Sequence, residues 1–266
     1  MRNLVITFTI LFSSVAAFAE TSDQYIHRSE FFFCNFNEGK NYADLLEEQA
    51  PYEDFLKEKG LQYNRINLLP IWDNDAEYDY VMWGNWPSGQ DQYKEWGAYM
   101  NDYPKWASDN DVPPQNVGDC AKGAVSMRFH SVLRLRIPME DRDERLFTDW
   151  RRCKLTEDAN VAELKALYAK QEKLAKDFGL NGYGVSFFTP YRGNQTGADW
   201  DFLMMTHWYN AESRMNMISS WAEFSDLLED SGIRKERSKH IESCSGADTY
   251  QACLLYTSPS PRDIGE

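Results

Sequence analysis

The chain has 266 residues, a formal net charge of −14 at pH 7, a hydrophobic content of 42% and an aromatic content of 15%. This length suits one large domain or two small ones of roughly 100–120 residues each, and the apolar content argues against a disordered chain. The negative charge disfavours nucleic acid and anionic membrane surfaces as partners.

The N-terminus has the pattern of an export signal. Arg2 precedes an apolar run over 4–18, and Ala17-Phe18-Ala19 forms a small-x-small cleavage motif. An N-terminal anchor helix, the alternative, needs about 20 uninterrupted apolar residues, and Thr and Ser interrupt this run. We therefore expect a signal peptide over 1–19, a secreted or periplasmic mature protein, and no membrane span after cleavage.

The elements of the first part alternate between strand and helix patterns. Apolar and aromatic runs predict strands, and Asn41 with Asp44 predicts a capping box for a helix that Gly60 ends. Pro51 lies inside that helix, where proline typically kinks or splits it. In chain order we predict a strand over 30–36, this helix, strands over 63–72 and 78–86, a helix from Ser88 or Gly89 to Tyr99, and a strand over 124–137.

The same order returns in the second part of the chain. A shift of 119 residues places Cys34–Leu61 on Cys153–Leu180 with ten identical positions, and Asn160 with Glu163 repeats the capping box. Further along, Asp79, Met82 and Trp86 correspond to Asp201, Met204 and Trp208. This pattern predicts an internal duplication, with one β-α-β-β-α-β, ferredoxin-like unit over 20–138 and another over 139–253.

Two such units in one chain resemble the dimeric α/β-barrel superfamily, in which two ferredoxin-like sheets close face to face. The resemblance implies an α+β fold packed as an intrachain barrel. That superfamily includes cofactor-free monooxygenases, haem-binding enzymes, isomerases and members without known activity. Its haem-degrading branch uses a His on the second helix, and no His occurs in 88–102 or 210–224, so we reject that activity and predict no cofactor.

The last residues differ in composition from the rest. Residues 254–266, LLYTSPSPRDIGE, change abruptly to Pro- and Ser-rich text without periodicity. This text resembles a translated sequencing linker, so we interpret it as a non-native tail that truncates the second unit.

The cysteines follow the repeat. Cys34 corresponds to Cys153, and Cys120 and Cys244 each precede the last strand of a unit. The same bond in each unit gives the disulfides Cys34–Cys120 and Cys153–Cys244, with free buried thiols as the alternative. Cys253 is left over, and the absence of a CxxC motif disfavours zinc.

One strand carries several basic groups in this acidic chain. Over 127–136, Arg128, His130, Arg134 and Arg136 share one face of the alternating pattern. If that face lines the barrel interior, it forms an electropositive pocket for a carboxylate, phosphate or sulfate. Otherwise it is a surface whose arginines pair with nearby acids.

The two copies of the third strand differ at two positions. Asn85 in DYVMWGNW corresponds to His207 in DFLMMTHW, and Trp83 corresponds to Met205. His207 is a candidate for chemistry or a structural histidine bonded to backbone or water. The predicted ligand-binding residues are Trp83, Asn85, Arg128, His130, Arg134, Met205 and His207.

These observations lead to three hypotheses. The first is an exported protein that binds a small organic ligand, with an anion as one candidate, between its two sheets. The second is a cofactor-independent monooxygenase or isomerase on the same scaffold. The third is a structural or protein-interaction module with a filled core.

Overall fold

The computed structural model of the protein describes residues 27–72, 77–120, 124–159, 161–193 and 199–255. The strands in these ranges are β1 His27–Phe36, β2 Asn64–Trp72, β3 Tyr80–Trp86, β4 Gly118–Asp119, β5 Ala124–Leu135, β6 Arg145–Leu155, β7 Tyr183–Gly193, β8 Phe202–Trp208, β9 Ile241–Cys244 and β10 Asp248–Leu255. The helices are α1 Tyr42–Lys59, α2 Gly89–Asn101, α3 Tyr103–Asp109, α4 Val161–Asp177, α5 Ala211–Ser219, α6 Trp221–Asp230 and α7 Ile233–Arg237.

Eight of the strands close into an antiparallel barrel. Their order is β10-β2-β3-β1-β5-β7-β8-β6, and β6 pairs back with β10. The first half of the chain contributes β2, β3, β1 and β5, and the second half contributes β7, β8, β6 and β10 in the equivalent order. Each half is therefore a ferredoxin-like sheet, and the two join at β5–β7 and β10–β2. This confirms the predicted fold class.

Strand alternation divides the barrel residues into an inner and an outer set. Phe31, Trp83, Phe129, Trp150 and Phe188 belong to one buried cluster contributed by both halves, which fills the barrel interior. The rings of Trp83 and Trp150 meet edge to face at 5.6 Å between centroids. Because aromatic side chains bury large areas, this cluster joins the two sheets.

The helices cover the outer faces of the sheets. Residues of α1, α2 and α3, such as Phe55 and Tyr103, pack with Trp86 of β3. In the second half, residues of α4 and α6, such as Tyr168 and Phe224, pack with Trp208 of β8. Each half thus has its own outer core between helices and sheet.

The two halves use the same hydrogen bonds at matching turns. Asp79 accepts from the backbone N–H of Phe36 at 2.8 Å, and Asp201 accepts from that of Leu155 at 2.7 Å. The backbone N–H of Asp79 donates to Cys34 and that of Asp201 to Cys153, at 2.9 and 2.8 Å. The shared Asp of the two third-strand motifs is therefore a turn residue in both copies.

Three predicted details differ from the structure. Helix α1 runs without interruption through Pro51. The second helix of the second half is divided into α5 and α6 at Ser220. The backbone N–H of Ser220 donates a hydrogen bond to the carbonyl of Asn216. Strand β10 includes Leu254 and Leu255, which pair with Ile66 and Arg65 of β2, so the strand extends two residues into the segment interpreted as a tail.

Some predictions fall outside the described residues. The signal peptide, the Asn160 cap and residues 256–266 are among these. Within the described ranges, no helix combines the length and the apolar character that crossing a membrane requires. The first capping box is confirmed: the Asn41 side chain accepts from the helix backbone, and Asp44 accepts from the N–H of Asn41 at 2.9 Å.

Both predicted cysteine pairs lie at disulfide distance. The sulfurs of Cys34 and Cys120 are 2.07 Å apart, and those of Cys153 and Cys244 are 2.06 Å apart. The short strands β4 and β9 bring the second cysteine of each pair beside β1 or β6. Cys253 is a buried free thiol.

Candidate functional site

Five of the predicted site residues point into the barrel, and four of these lie on β3 and β8. Trp83 and Met205 belong to the interior cluster, and Asn85 and His207 share their strand faces. Ser29 links two side chains: its hydroxyl accepts from Trp83 Nε1 at 3.2 Å and donates to Asn85 Oδ1 at 2.6 Å. The His207 ring lies so close to Gly184 that a Cβ there would sit 2.6 Å from it. These residues have packing and polar roles inside the barrel wall.

One small cavity lies in the barrel interior. It has a volume of about 100 Å³ and lies beside Phe31, Phe33, Tyr78 and Trp150. Sites for small organic molecules usually measure about 300–1,000 Å³. The aromatic cluster occupies the space around this cavity, and a ligand between the two sheets stays a prediction.

Arg128 and His130 lie on the outer side of the barrel, whereas Arg134 lies on the inner side. Met127 and Phe129 take the inward positions of β5, so Arg128 and His130 point outward, and the Arg128 guanidinium lies 5.3 Å from the ring centre of Tyr191. An irregularity in the β5–β7 register falls between Ser131 and Leu133. After this irregularity Leu133 and Leu135 pack in the outer core, so Arg134 points inward, where its Nε donates to the Ser131 hydroxyl. Arg128 and His130 therefore lie on the opposite side of the wall from Asn85 and His207, and Arg134 lies on the same side as these two.

His130 is held as a neutral imidazole. Its Nδ1 lies 3.1 Å from Lys165 Nζ and its Nε2 lies 3.2 Å from the Thr189 hydroxyl. Burial, followed by the charges of Lys165 and Arg128, lowers the pKa of His130 to about 4. A neutral ring between a lysine and a threonine is a structural contact of β5 with α4 and β7.

A larger cavity lies on the outer face of the second sheet. This second-half cleft, between β6–β8 and helices α4–α7, has a volume of about 630 Å³. Its apolar wall includes Tyr168, Met204, Trp208, Ile218 and Trp221. Ile218 and Trp221 are 67% and 49% exposed, so apolar surface extends from the cleft to solvent.

Three arginines line the second-half cleft. Arg151 comes from β6, and the five-residue helix α7 brings Arg234 and Arg237. Arg237 donates to the Gln171 side chain at 3.5 Å and lies over the Tyr168 ring, and Arg151 donates to the Ser245 carbonyl at 3.0 Å. These acceptors are neutral, and within the described ranges neither Arg151 nor Arg237 forms an ion pair with an acid.

A second outer cavity lies in the equivalent place on the first sheet. This first-half cleft, between β1–β3 and helices α1–α2, has a volume of about 370 Å³. Tyr63 lies on its floor, and its ring is tilted by 39° against that of Trp86, with 4.9 Å between ring centres. Gly84 makes room for it, because a Cβ at that position would meet the Tyr63 ring at 2.7 Å. The floor of this cleft is thus aromatic.

The first-half cleft contains two buried carboxyl groups. Glu30 of β1 is 6% exposed and Glu95 of α2 is 4% exposed. The Tyr52 hydroxyl donates to Glu95 Oε1, and the Arg65 guanidinium lies 5.4 Å from the Tyr52 ring centre and donates to the Tyr63 hydroxyl at 3.2 Å. Two acids, one arginine and two tyrosines therefore meet in one enclosed space.

Burial changes the protonation of both acids. It raises the pKa of Glu30 to about 7, with the nearby charge of Glu95 adding to the effect and Arg65 opposing it. Burial also raises the pKa of Glu95, while the Tyr52 hydrogen bond and Arg65 act in the opposite direction. Near neutral pH, Glu30 can therefore both hold and release a proton.

Neither acid was among the residues predicted from sequence. The strand EFFFCNF gave one available signal, because Glu30 alternates onto the same face as Phe32 and Cys34. For α2, Glu95 lies three residues after Gln92, and both are buried. No sequence signal pointed to Arg234 or Arg237. Within the described ranges, no group of three or more His, Cys, Asp or Glu side chains could hold a metal ion.

Comparisons with known proteins identify the fold. No protein-family model matches the sequence, and no curated protein matches it. An anthrone oxidase-like protein is similar in structure, with a TM-score of 0.50 and 15% identity over 90% of this chain and 95% of that chain. Because identity is low, this likeness supports the dimeric α/β-barrel fold alone.

Two further solved structures align at lower similarity. A putative monooxygenase from Fusobacterium nucleatum subsp. nucleatum has a TM-score of 0.44 and 12% identity, over 87% of this chain and 92% of that chain. Chlorite dismutase from Candidatus Nitrospira defluvii, in complex with imidazole, has a TM-score of 0.45 and 8% identity, over 87% and 92%.

Proposed function

We propose that the protein binds a small organic anion in the second-half cleft. The observation that carries this proposal is the cavity of about 630 Å³ that Arg151, Arg234 and Arg237 line together with aromatic residues. The volume lies within the range of small-molecule sites. The ligand class agrees with the hypothesis from sequence, although the place in the fold is different.

The arginines support a carboxylate, sulfonate or phosphate as the charged group. A guanidinium presents planar, directional donors that match the oxygens of these groups. Two acids also line the cleft, Asp149 and Glu242, but Asp149 already lies 3.5 Å from Arg214 and accepts from the Thr249 hydroxyl at 2.7 Å. Arg151 and Arg237 are therefore the cations best placed to bind an anion.

The aromatic wall supports an apolar or aromatic body for the same ligand. Trp208 and Tyr168 lie deep in the cleft, and Trp221 is at its exposed side. Aromatic faces bind apolar rings through dispersion and edge or offset contacts. An amphipathic anion would match both parts of the lining.

A pair of fluorescent probes tests this proposal. Anilinonaphthalene sulfonate is an aromatic anion, and N-phenylnaphthylamine is the same ring system without the sulfonate. Charged hydrogen bonds are worth about 1.5–3 kcal/mol each, so the double variant Arg151→Gln, Arg237→Gln should bind the sulfonate at least roughly 10-fold more weakly. The neutral probe should bind the variant and the original protein alike.

Lys173→Gln is the matched control, since this lysine pairs with Asp177 on the exposed side of α4. It removes one positive charge outside the cleft and should leave the binding of both probes unchanged. Equal weakening of both probes by the arginine variant, or no weakening of the sulfonate, contradicts the proposal.

We also infer that the protein is exported and that its two halves arose by duplication. Two cysteine pairs at disulfide distance support an oxidising compartment, in agreement with the N-terminal signal pattern. Matching Asp turns and matching strand orders support the duplication.

A further inference from the structure

The first-half cleft has chemistry that anion binding in the other half does not use. Glu30 and Glu95 face each other from β1 and α2 across a cavity of about 370 Å³. Glu95 is 4% exposed, and its carboxyl group has two neighbouring donors, the Tyr52 hydroxyl and the Trp86 indole. Two buried carboxyl groups that line one cavity are candidates for acid–base chemistry.

We propose that the first-half cleft is a second, catalytic site, in which Glu30 transfers a proton between two carbon atoms of a neutral, enolisable ketone. The reaction class is an isomerisation that consumes no oxidant. Glu30 and Arg65 are the catalytic residues, and Glu95 and Tyr52 are positioning residues.

The contacts assign different roles to the two acids. Tyr52 donates to Glu95, which favours the charged form of Glu95. For Glu30, a hydrogen bond with the Trp96 side chain also favours the charged form, but burial and the charge of Glu95 oppose it more strongly, and two carboxyl groups in one buried site do not both ionise easily. The proton of the pair therefore resides on Glu30, where burial places the pKa near 7. A general base works best with a pKa near the operating pH.

The reaction balances with the groups present. The ionised Glu30 carboxylate forms an O–H bond with a hydrogen from the carbon beside the ketone, and that C–H bond breaks. Its electron pair forms a C=C bond, and the carbonyl π electrons move to oxygen to give an enolate. The positive charge of Arg65 stabilises the enolate. Glu30 then returns its proton to a carbon of the conjugated system and the carbonyl forms again.

The lining favours a neutral and planar substrate. Trp86, Trp96 and Tyr99 supply aromatic faces on which a flat ring system can stack. Among the described residues that line the cleft, three are acids, Glu30, Glu48 and Glu95, and one is a cation, Arg65, so an anionic substrate would meet like charge. The cavity volume lies near the lower end of small-molecule sites, which suits a molecule of about two rings.

Hydrogen–deuterium exchange tests the proposal with β-tetralone, a planar bicyclic ketone. The full protein in D₂O should accelerate exchange at the carbon beside the carbonyl, followed by proton NMR. Glu30→Gln should lower the protein-dependent rate at least about 100-fold, the usual contribution of a general acid–base. Glu47→Gln makes the same change on the exposed face of α1 and should exchange like the original protein.

The pH dependence of the exchange rate distinguishes a catalytic role of Glu30 from a structural one. The charged groups that face Glu30 are Glu95 on α2 and Arg65 on β2. Glu95→Gln removes the neighbouring negative charge, so the midpoint of the rate profile should move to lower pH. Arg65→Gln should move it to higher pH. The proposal is overturned if the folded original protein does not accelerate exchange, or if Glu30→Gln exchanges as fast as the original protein. Midpoints that do not move in these directions would overturn it as well.

Discussion

The two outer clefts occupy equivalent places in the two halves but differ in charge. Glu30 and Arg65 both lie opposite Gly84 in the first sheet, and Asp149 and Val185 both lie opposite Thr206 in the second. An acid is thus present in both halves, whereas the arginine of the first cleft has an apolar counterpart. In the second cleft the arginines come from β6 and α7 instead.

The acids at the equivalent positions also differ in their partners. Asp149 lies 3.5 Å from Arg214 on α5, with a hydroxyl donor from Thr249. The Glu30 carboxyl lies near Glu95, another acid. The same backbone position therefore holds a paired carboxylate in one half and a carboxyl of raised pKa in the other, because the neighbouring helix supplies different side chains.

The helices account for the difference in cleft size. In the first half α2 continues for 13 residues, and it places Glu95 and Trp96 over the sheet. In the second half the equivalent segment is divided into α5 and α6, and α7 follows after Gly232, whose φ of +73° is in the left-handed region. Dividing the helix widens the space beneath it.

The largest expected effect is on the free energy of unfolding, when the disulfide of one half or of the other half is removed. The bonds join residues 86 and 91 positions apart, so in the chain-entropy model each contributes roughly 4–5 kcal/mol. The double variants Cys34→Ala, Cys120→Ala and Cys153→Ala, Cys244→Ala should lose similar free energies of unfolding. Urea denaturation without reductant measures this, and a loss confined to one variant would show that the halves are not equivalently stabilised.

Glu30 has a raised pKa, and Asp149 pairs with Arg214. Replacing each of them by its amide should change the free energy of unfolding in opposite directions. The pKa of Glu30 is about 7 in the folded protein against an ordinary 4.5, so the unfolded chain releases this proton first as pH rises. The contribution of Glu30 to the free energy of unfolding is therefore fully present below pH 4.5. Between about pH 4.5 and 7 it is lost, and the free energy of unfolding falls by roughly 3 kcal/mol. Glu30→Gln should be more stable than the original protein at pH 8 and show little difference at pH 4.

Asp149→Asn is the counterpart of that variant in the second half. It removes the carboxylate beside Arg214, which is largely buried, so it should destabilise the protein at pH 8. Urea midpoints at pH 4, 6 and 8 check both variants. A Glu30→Gln protein whose difference from the original does not change with pH would show that Glu30 ionises normally.

The fold could be predicted from sequence because it depends on repeated local signals. Capping residues, strand alternation and the spacing of cysteines act over a few residues each, and they occur twice. The sites could not be predicted in the same way. Glu30 and Glu95 are 65 positions apart in the sequence, and only the packing of α2 on β1 brings them together. The predicted basic face of β5 is not one strand face, because the register irregularity between Ser131 and Leu133 places Arg134 on the opposite side from Arg128 and His130, and strict alternation could not show this irregularity.

The smallest expected effect concerns the Asp of the two third-strand motifs. Asp79 and Asp201 each accept a backbone N–H at the end of the neighbouring first strand, at 2.8 and 2.7 Å. Both are exposed, so each hydrogen bond should contribute about 1–2 kcal/mol, and Asp79→Ala and Asp201→Ala should destabilise the protein equally by that amount. Neither should change binding of the sulfonate probe or exchange of β-tetralone, since neither residue lines a cleft. Unequal losses in urea denaturation would show that the repeated motif has different roles in the two halves, whereas a lost activity without a lost stability would assign one of these Asp residues to a site.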